Sequence, residues 1–106
     1  MFIKFDDLEM LEFFENEPIF IGEEFEGNVI YSTKDNFQLS MMVTIDTYAK
    51  TIEISVRYQC NTVFSGKFDK VLEIKKNQDV LLIEMEDKKR LVIKKFPCVG
   101  IILEAL

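Results

Sequence analysis

The chain predicts an α+β fold, with an N-terminal helix packed on an antiparallel β-meander of five to seven strands. Three observations carry that expectation. A helix signal stands near the start, where Asp6 precedes Glu9 by three positions and apolar residues recur at helical spacing before Pro18. After Gly22 the apolar and polar residues alternate with a period of two, the pattern of strands with one buried face. The connections between those runs are short, which favours antiparallel neighbours, because parallel strands need a long crossover.

Asp6 has the form of an N-cap, with Glu9 placed close to a capping box. The acids that follow sit in the first turns, where the helix dipole favours negative charge. Glu17 precedes Pro18 and is therefore biased away from helix, so the spacing predicts a helix from about Asp7 to Glu15. At 100° per residue, Met10, Leu11, Phe13 and Phe14 share one arc, while Glu9, Glu12 and Glu15 form an acidic stripe opposite. Leu39, Met41, Val43 and Ile45 alternate with Gln38, Ser40, Met42 and Thr44, and Ile52, Ile54, Val56 and Tyr58 with Glu53, Ser55 and Arg57. The stretch Asp46 to Lys50 between them is short enough for a hairpin. Further strands are expected at Val63 to Ile74 with a break near Ser65-Gly66, then Val80 to Glu86, Leu91 to Phe96 and Val99 to Glu104. Asn77-Gln78-Asp79 and Asp87-Lys88-Lys89 are the polar turns between them.

At 106 residues this is a single domain, 1–106, with an acidic helix and loop over residues 1–26 and strands over 27–106. Nothing approaches the ~20 apolar residues of a membrane span. The start, MFIKFDDLEM, turns acidic too early for a secretory signal, which makes the cytoplasm the expected compartment and no membrane the expected partner. In a reducing compartment, Cys60 and Cys98 are expected as small buried hydrophobes, although spacing alone does not exclude a bridge.

Charge is the least ordinary property of the chain. The first 26 residues hold nine acids against Lys4 alone, whereas the other 80 hold 10 acids and 12 bases; the whole chain is −6. A one-signed patch steers encounter with oppositely charged partners and rejects like-charged ones. Lys75-Lys76, Lys88-Lys89-Arg90 and Lys94-Lys95 lie in or beside predicted turns, where lysines serve solubility and protect sheet edges. With a net negative domain around them, no nucleic-acid partner is expected.

Catalytic signatures are missing. The chain has no histidine, which removes the commonest general base and metal ligand together. There is no GxSxG elbow, and the four glycines are scattered rather than gathered before a helix to cradle phosphate. Glu23, Glu24 and Glu26 are the densest carboxylates, but they lack the spacing of a calcium loop and read as a solvated acidic loop. Neither a metal nor a cofactor is expected, and the chain reads as a non-enzyme. Phe2, Phe5, Phe13, Phe14, Phe20 and Phe25 are interleaved with the acids; most are core. Leu8, in contrast, projects near the acidic stripe, and an apolar residue ringed by carboxylates has the composition of an interface centre with a charged rim.

Phe13-Phe14-Glu15-Asn16-Glu17-Pro18, then Tyr31-Ser32-Thr33-Lys34-Asp35, then Leu82-Ile83-Glu84, Leu91-Val92-Ile93, Pro97 and the closing Ile101-Ile102-Leu103-Glu104 resemble small bacterial immunity proteins encoded beside polymorphic or contact-dependent toxins. The resemblance implies a monomer or small homo-oligomer that binds one cognate protein toxin in the producing cell's cytoplasm, without catalysis. A toxin acting on nucleic acid is expected to be basic, and an acidic plug would occlude its site by mimicking substrate charge. The expected binding residues are Leu8 as an apolar contact, and Glu9, Glu12, Glu15, Glu23, Glu24 and Glu26 as the rim. The competing readings are a structural or adaptor domain docking through the same acidic segment, and a carboxylate-based enzyme or small-ligand binder.

Overall fold

The structure, a computed structural model, describes residues 3–20, 28–35, 37–95 and 98–105. A helix, α1 (Asp7–Phe14), precedes nine strands: β1 (Ile19–Phe20), β2 (Asn28–Lys34), β3 (Leu39–Asp46), β4 (Thr51–Tyr58), β5 (Asn61–Phe68), β6 (Val71–Asn77), β7 (Val80–Met85), β8 (Lys89–Lys94) and β9 (Gly100–Ala105). The α+β class and the N-terminal helix stand as expected. The strands are more numerous than five to seven, and they form two antiparallel sheets, β1-β2-β3-β4-β5 and β6-β7-β8-β9.

Alternation explains where the core lies. Val29, Tyr31, Met41, Val43, Ile45, Ile52, Ile54 and Val56 from the larger sheet are buried together with Val71, Ile74, Leu81, Ile83, Leu91 and Ile93 from the smaller one. In β2, β3, β4, β7 and β8 these residues occupy every second position and so point to one face; in β6 a register shift between Val71 and Glu73 lets Val71 and Ile74, three positions apart, share the buried face. The register puts them in rows, for example Tyr31↔Val43↔Ile54 and Ile74↔Ile83↔Leu91.

The expected break at Ser65-Gly66 is not there. Those residues lie inside β5, paired with Ser55 and Ile54 of β4, and the chain changes sheet at Asp69-Lys70 instead. Glycine at 66 lets two rings lie close against the strand: a Cβ there would sit 3.0 Å from the Phe64 ring and 3.3 Å from Phe68, so both would have to shift slightly. The actual corner is made by Lys70, whose φ of 59° is left-handed, and whose carbonyl accepts from Glu86 N at 3.0 Å. Other reversals use the same device without glycine, at Gln59 (φ 56°), Gln78 (φ 57°), and Asp87 and Lys88 (φ 65° and 58°).

The N-terminal segment joins the two sheets. Ile3 N donates to Thr47 O in the β3–β4 turn, Lys4 N donates to Leu72 O, and Ile74 N donates to Lys4 O. Residue 4 thus pairs alongside β6, in parallel with Glu73. Helix α1 begins with Asp6 as its N-cap, Oδ1 accepting from Leu8 N at 2.8 Å and Glu9 N at 3.2 Å. It ends at Glu15, whose left-handed φ of 60° stops the helix. Met10, Phe13 and Phe14 are buried; Phe14 packs edge-on to Phe13 and stacks on Tyr31 with ring centres 5.2 Å apart. Burial, with the Asp7 charge adding to it, pushes the Tyr31 phenol up to about 12.

Candidate functional site

Two surfaces stand out, one built by α1 and the other at the far edge of the four-stranded sheet. On α1 and its C-cap the exposed side chains are Asp7, Leu8, Leu11, Glu12 and Glu15, the last four spaced i, i+3, i+4 and i+7. Leu8 is 65 % exposed, as its place beside the acids predicted. Leu11 is 40 % exposed rather than core. The helix is clamped on its two sides, by Phe14 against Tyr31 of β2 and by Glu9 against β6, which turns the buried arc away from Leu11.

The acidic stripe is therefore not uniform. Glu9 is half-buried, and its Oε1 accepts the backbone N–H of Lys76 at 3.0 Å. Glu15 stays exposed but pairs with the buried Lys95, Nζ to Oε2 at 2.9 Å. The same ammonium lies 5.6 Å from the centre of the Phe13 ring. Lys95 had been expected among solubility lysines; it instead pins the helix C-terminus to the segment after β8. Glu12 is exposed, and Asn16 Nδ2 anchors the following turn by donating to Phe14 O and Ser32 O. The structure thus brings Leu8, Glu12 and Glu15 onto one face and directs Glu9 aside. Glu23, Glu24 and Glu26 lie outside the described residues. Among the described residues no group of three His, Cys, Asp or Glu is placed to hold a metal, and no helix is long and apolar enough to cross a membrane. Cys60, expected to be buried, is exposed in the β4–β5 turn, and it and Cys98 are both free thiols.

The second surface was not foreseen. Edge strands β5 and β9 flank a cleft of about 550 Å³ lined by Leu39, Val56, Val63, Phe64, Phe68, Leu91, Val99, Gly100, Ile101 and Leu103. Not one of these residues is charged. Register explains its apolar floor: Phe64 and Phe68 face the core side with Val56 and Ile52, and Ile101 and Leu103 do so with Ile93 and Leu91. Yet Leu103 is 61 % exposed and Phe64 38 %, because the sheets do not close over each other there. The sequence held only a partial signal: Ile101-Ile102-Leu103 is apolar on both faces of a strand, a pattern that marks an unusual amount of apolar surface but not whether it is covered. Asp35 holds one end of the cleft. Its Oδ1 accepts from Phe37 N and Leu39 N, and its Oδ2 accepts from Val99 N at 2.8 Å, tying the β2–β3 turn to the start of β9. Desolvation raises the pKa of this carboxyl, but the backbone N–H groups of Val99, Leu39, Phe37 and Asp35 itself outweigh it and hold the pKa below its ordinary value.

This arrangement of sheets and helix has a counterpart among solved structures. A chain of a contact-dependent growth inhibition toxin–immunity protein complex from Klebsiella pneumoniae 342 superposes with a TM-score of 0.81, covering 98 % of both chains at 24 % identity. The two chains share a fold. No protein-family model matches the sequence, and no curated protein matches it.

Proposed function

We propose that this chain is an immunity protein that neutralises a cognate bacterial toxin by binding it, without catalysis. The observation that carries the reading is the fold held over nearly the whole length of both chains with a member of a toxin–immunity complex. A fold alone does not assign a function. Here the likeness converges with the segments of this sequence that resemble immunity proteins. Of the two roles in such a complex, the immunity role suits a chain with no histidine for acid–base chemistry and nine acids in its first 26 residues.

In this reading the chain occludes the toxin in the cytoplasm of the cell that makes both. Leu8 is the apolar contact; Glu12, Glu15, Glu23, Glu24 and Glu26 form the attractive rim, and Glu9 adds to the field while holding β6. The toxin's contact surface is basic. The test is to produce the toxin domain encoded next to this chain, with and without it, in a susceptible cell. Growth arrest relieved by the chain, and a complex that co-purifies with it, is the expected result. Arrest that persists, with no complex at low salt, would leave the adaptor reading in its place.

A further inference from the structure

We propose that the outer edge of β9 accepts an extended, apolar segment of the toxin as an added strand, whose inward side chains fill the β5–β9 cleft. The inference rests on the immunity reading and specifies how that partner is held.

The argument begins with the four sheet edges. An exposed edge offers unpaired backbone N–H and C=O groups, and folded proteins blunt such edges by shortness, charge, bulges or cover. β1 is two residues long. β6 is covered, its backbone paired with Lys4 and its Lys76 N–H taken by Glu9. β5 carries a register shift opposite Val56/Arg57 and a lysine, Lys67. β9 has none of these protections. Its sequence from 100 to 104 is Gly-Ile-Ile-Leu-Glu, and its single charge, Glu104, is held by Arg90 at 2.8 Å. Among the described residues no backbone group takes up its outer side.

The occupant follows from the chemistry of that edge and of the cleft beside it. Unpaired main-chain groups select another extended backbone. A strand added there would extend the four-stranded sheet and direct every second side chain over Phe64 and Phe68. The cleft's uncharged lining requires those side chains to be apolar, since burying a charge there would go uncompensated. Charge also decides between a partner and a second copy. Two chains of −6 repel one another, whereas the basic partner of the immunity reading is drawn in. Val63, 58 % exposed on the bulged part of β5, lines this cleft, and Tyr58, 43 % exposed at the end of β4, pairs with Leu39 of the lining. They supply contact beyond one strand, which alone falls short of the roughly 800 Å² per partner of a stable interface.

The test uses the toxin domain from the rescue experiment and two variants of the same strand. Leu103→Lys places a charge in the cleft; Ile102→Lys places one on the opposite face of β9. The two side chains are 61 and 48 % exposed, so both variants should fold with unchanged circular dichroism. Leu103→Lys should weaken toxin binding by about 30-fold or more and Ile102→Lys by less than about threefold. Those backbone amides at 101–104 that face away from β8 should also gain hydrogen-exchange protection in the wild-type complex. Tight binding with those amides unprotected, or with Leu103→Lys binding like the wild type, would overturn the strand and leave the immunity function standing. Failure of the wild-type chain to bind the toxin would overturn both. Protection of the same outward-facing amides in the chain alone, at the mass of a dimer, would overturn it in favour of a second copy.

Discussion

Asp35 shows what one carboxylate can do when its partners are backbone groups of both sheets. Its three neighbours' N–H groups lie at 2.8, 3.0 and 2.8 Å from its oxygens, and one of them, Val99, belongs to the approach to β9. Because the ionised form is the better acceptor, the folded state lowers its pKa, and its contribution to stability is present above the ordinary carboxylate value. That contribution is lost as pH falls through the lowered value. Asp35→Asn keeps one acceptor oxygen and turns the other into a donor facing Val99 N. It should cost on the order of 1 kcal/mol at neutral pH, a solvent-screened hydrogen bond to a charged acceptor. The gap between wild type and variant, read by urea denaturation, should narrow below about pH 4 as the wild-type carboxyl protonates. A gap of constant size down to pH 2.5 would show that ionisation plays no part. Such pairings were not legible in the sequence. Val99 is 64 positions away, and Lys95, read as a turn lysine, meets Glu15 across 80 positions. Local pattern carries no information on contacts of that separation. Asp6 was legible because its partners, Leu8 and Glu9, are its near neighbours.

Among elements, those with a clean period read well and the corners did not. Helix α1 runs from Asp7 to Phe14 against an expected Asp7 to Glu15, and β7, β8 and β9 fall within two residues of expectation at each end. The corner at Asp69-Lys70 was missed because glycine and proline are the local marks of a turn, and this corner has neither. Gly66 was read as punctuation although its role is to let the rings of Phe64 and Phe68 approach the strand. The two assignments predict opposite responses to substitution. Gly66→Val should cost about 1–3 kcal/mol by forcing those rings aside, and Gly66→Ala less. Lys70→Gly should be neutral or stabilising by up to about 1 kcal/mol, since glycine adopts φ near 60° without steric cost. Thermal unfolding of the three variants measures both effects. A tolerated Gly66→Val together with a damaging Lys70→Gly would place the corner back at residue 66.

At the scale of the molecule, the split into two sheets was hidden because β5 and β6 are joined as tightly as a hairpin but do not pair. Their separation leaves the β5–β9 side open while the N-terminal segment and α1 join β6 to the larger sheet. The acidic surface thus lies at one edge of the smaller sheet and the apolar cleft at the other, which suits a division of labour between attraction and grip. Long-range charge governs encounter, and desolvated apolar contact governs residence. The division is testable on the acidic rim of the immunity reading, with Glu9 and Glu15 left in place. Glu9 and Glu15 are excluded, because reversing them would strip Lys76 N–H of its acceptor and leave the buried Lys95 beside a like charge. Reversing Glu12, Glu23, Glu24 and Glu26 to Lys changes four charges by two each and takes the chain from −6 to +2. Association with the toxin should slow by about tenfold or more at low salt, and its salt dependence should flatten, while dissociation changes less. Stopped-flow measurement over a series of salt concentrations separates the two rates. If association is unchanged and dissociation quickens, these acids are contact residues and not a steering field. If neither rate moves, the partner does not read these acids, and the binding energy must come from elsewhere on the molecule, with the β9 edge the next place to look.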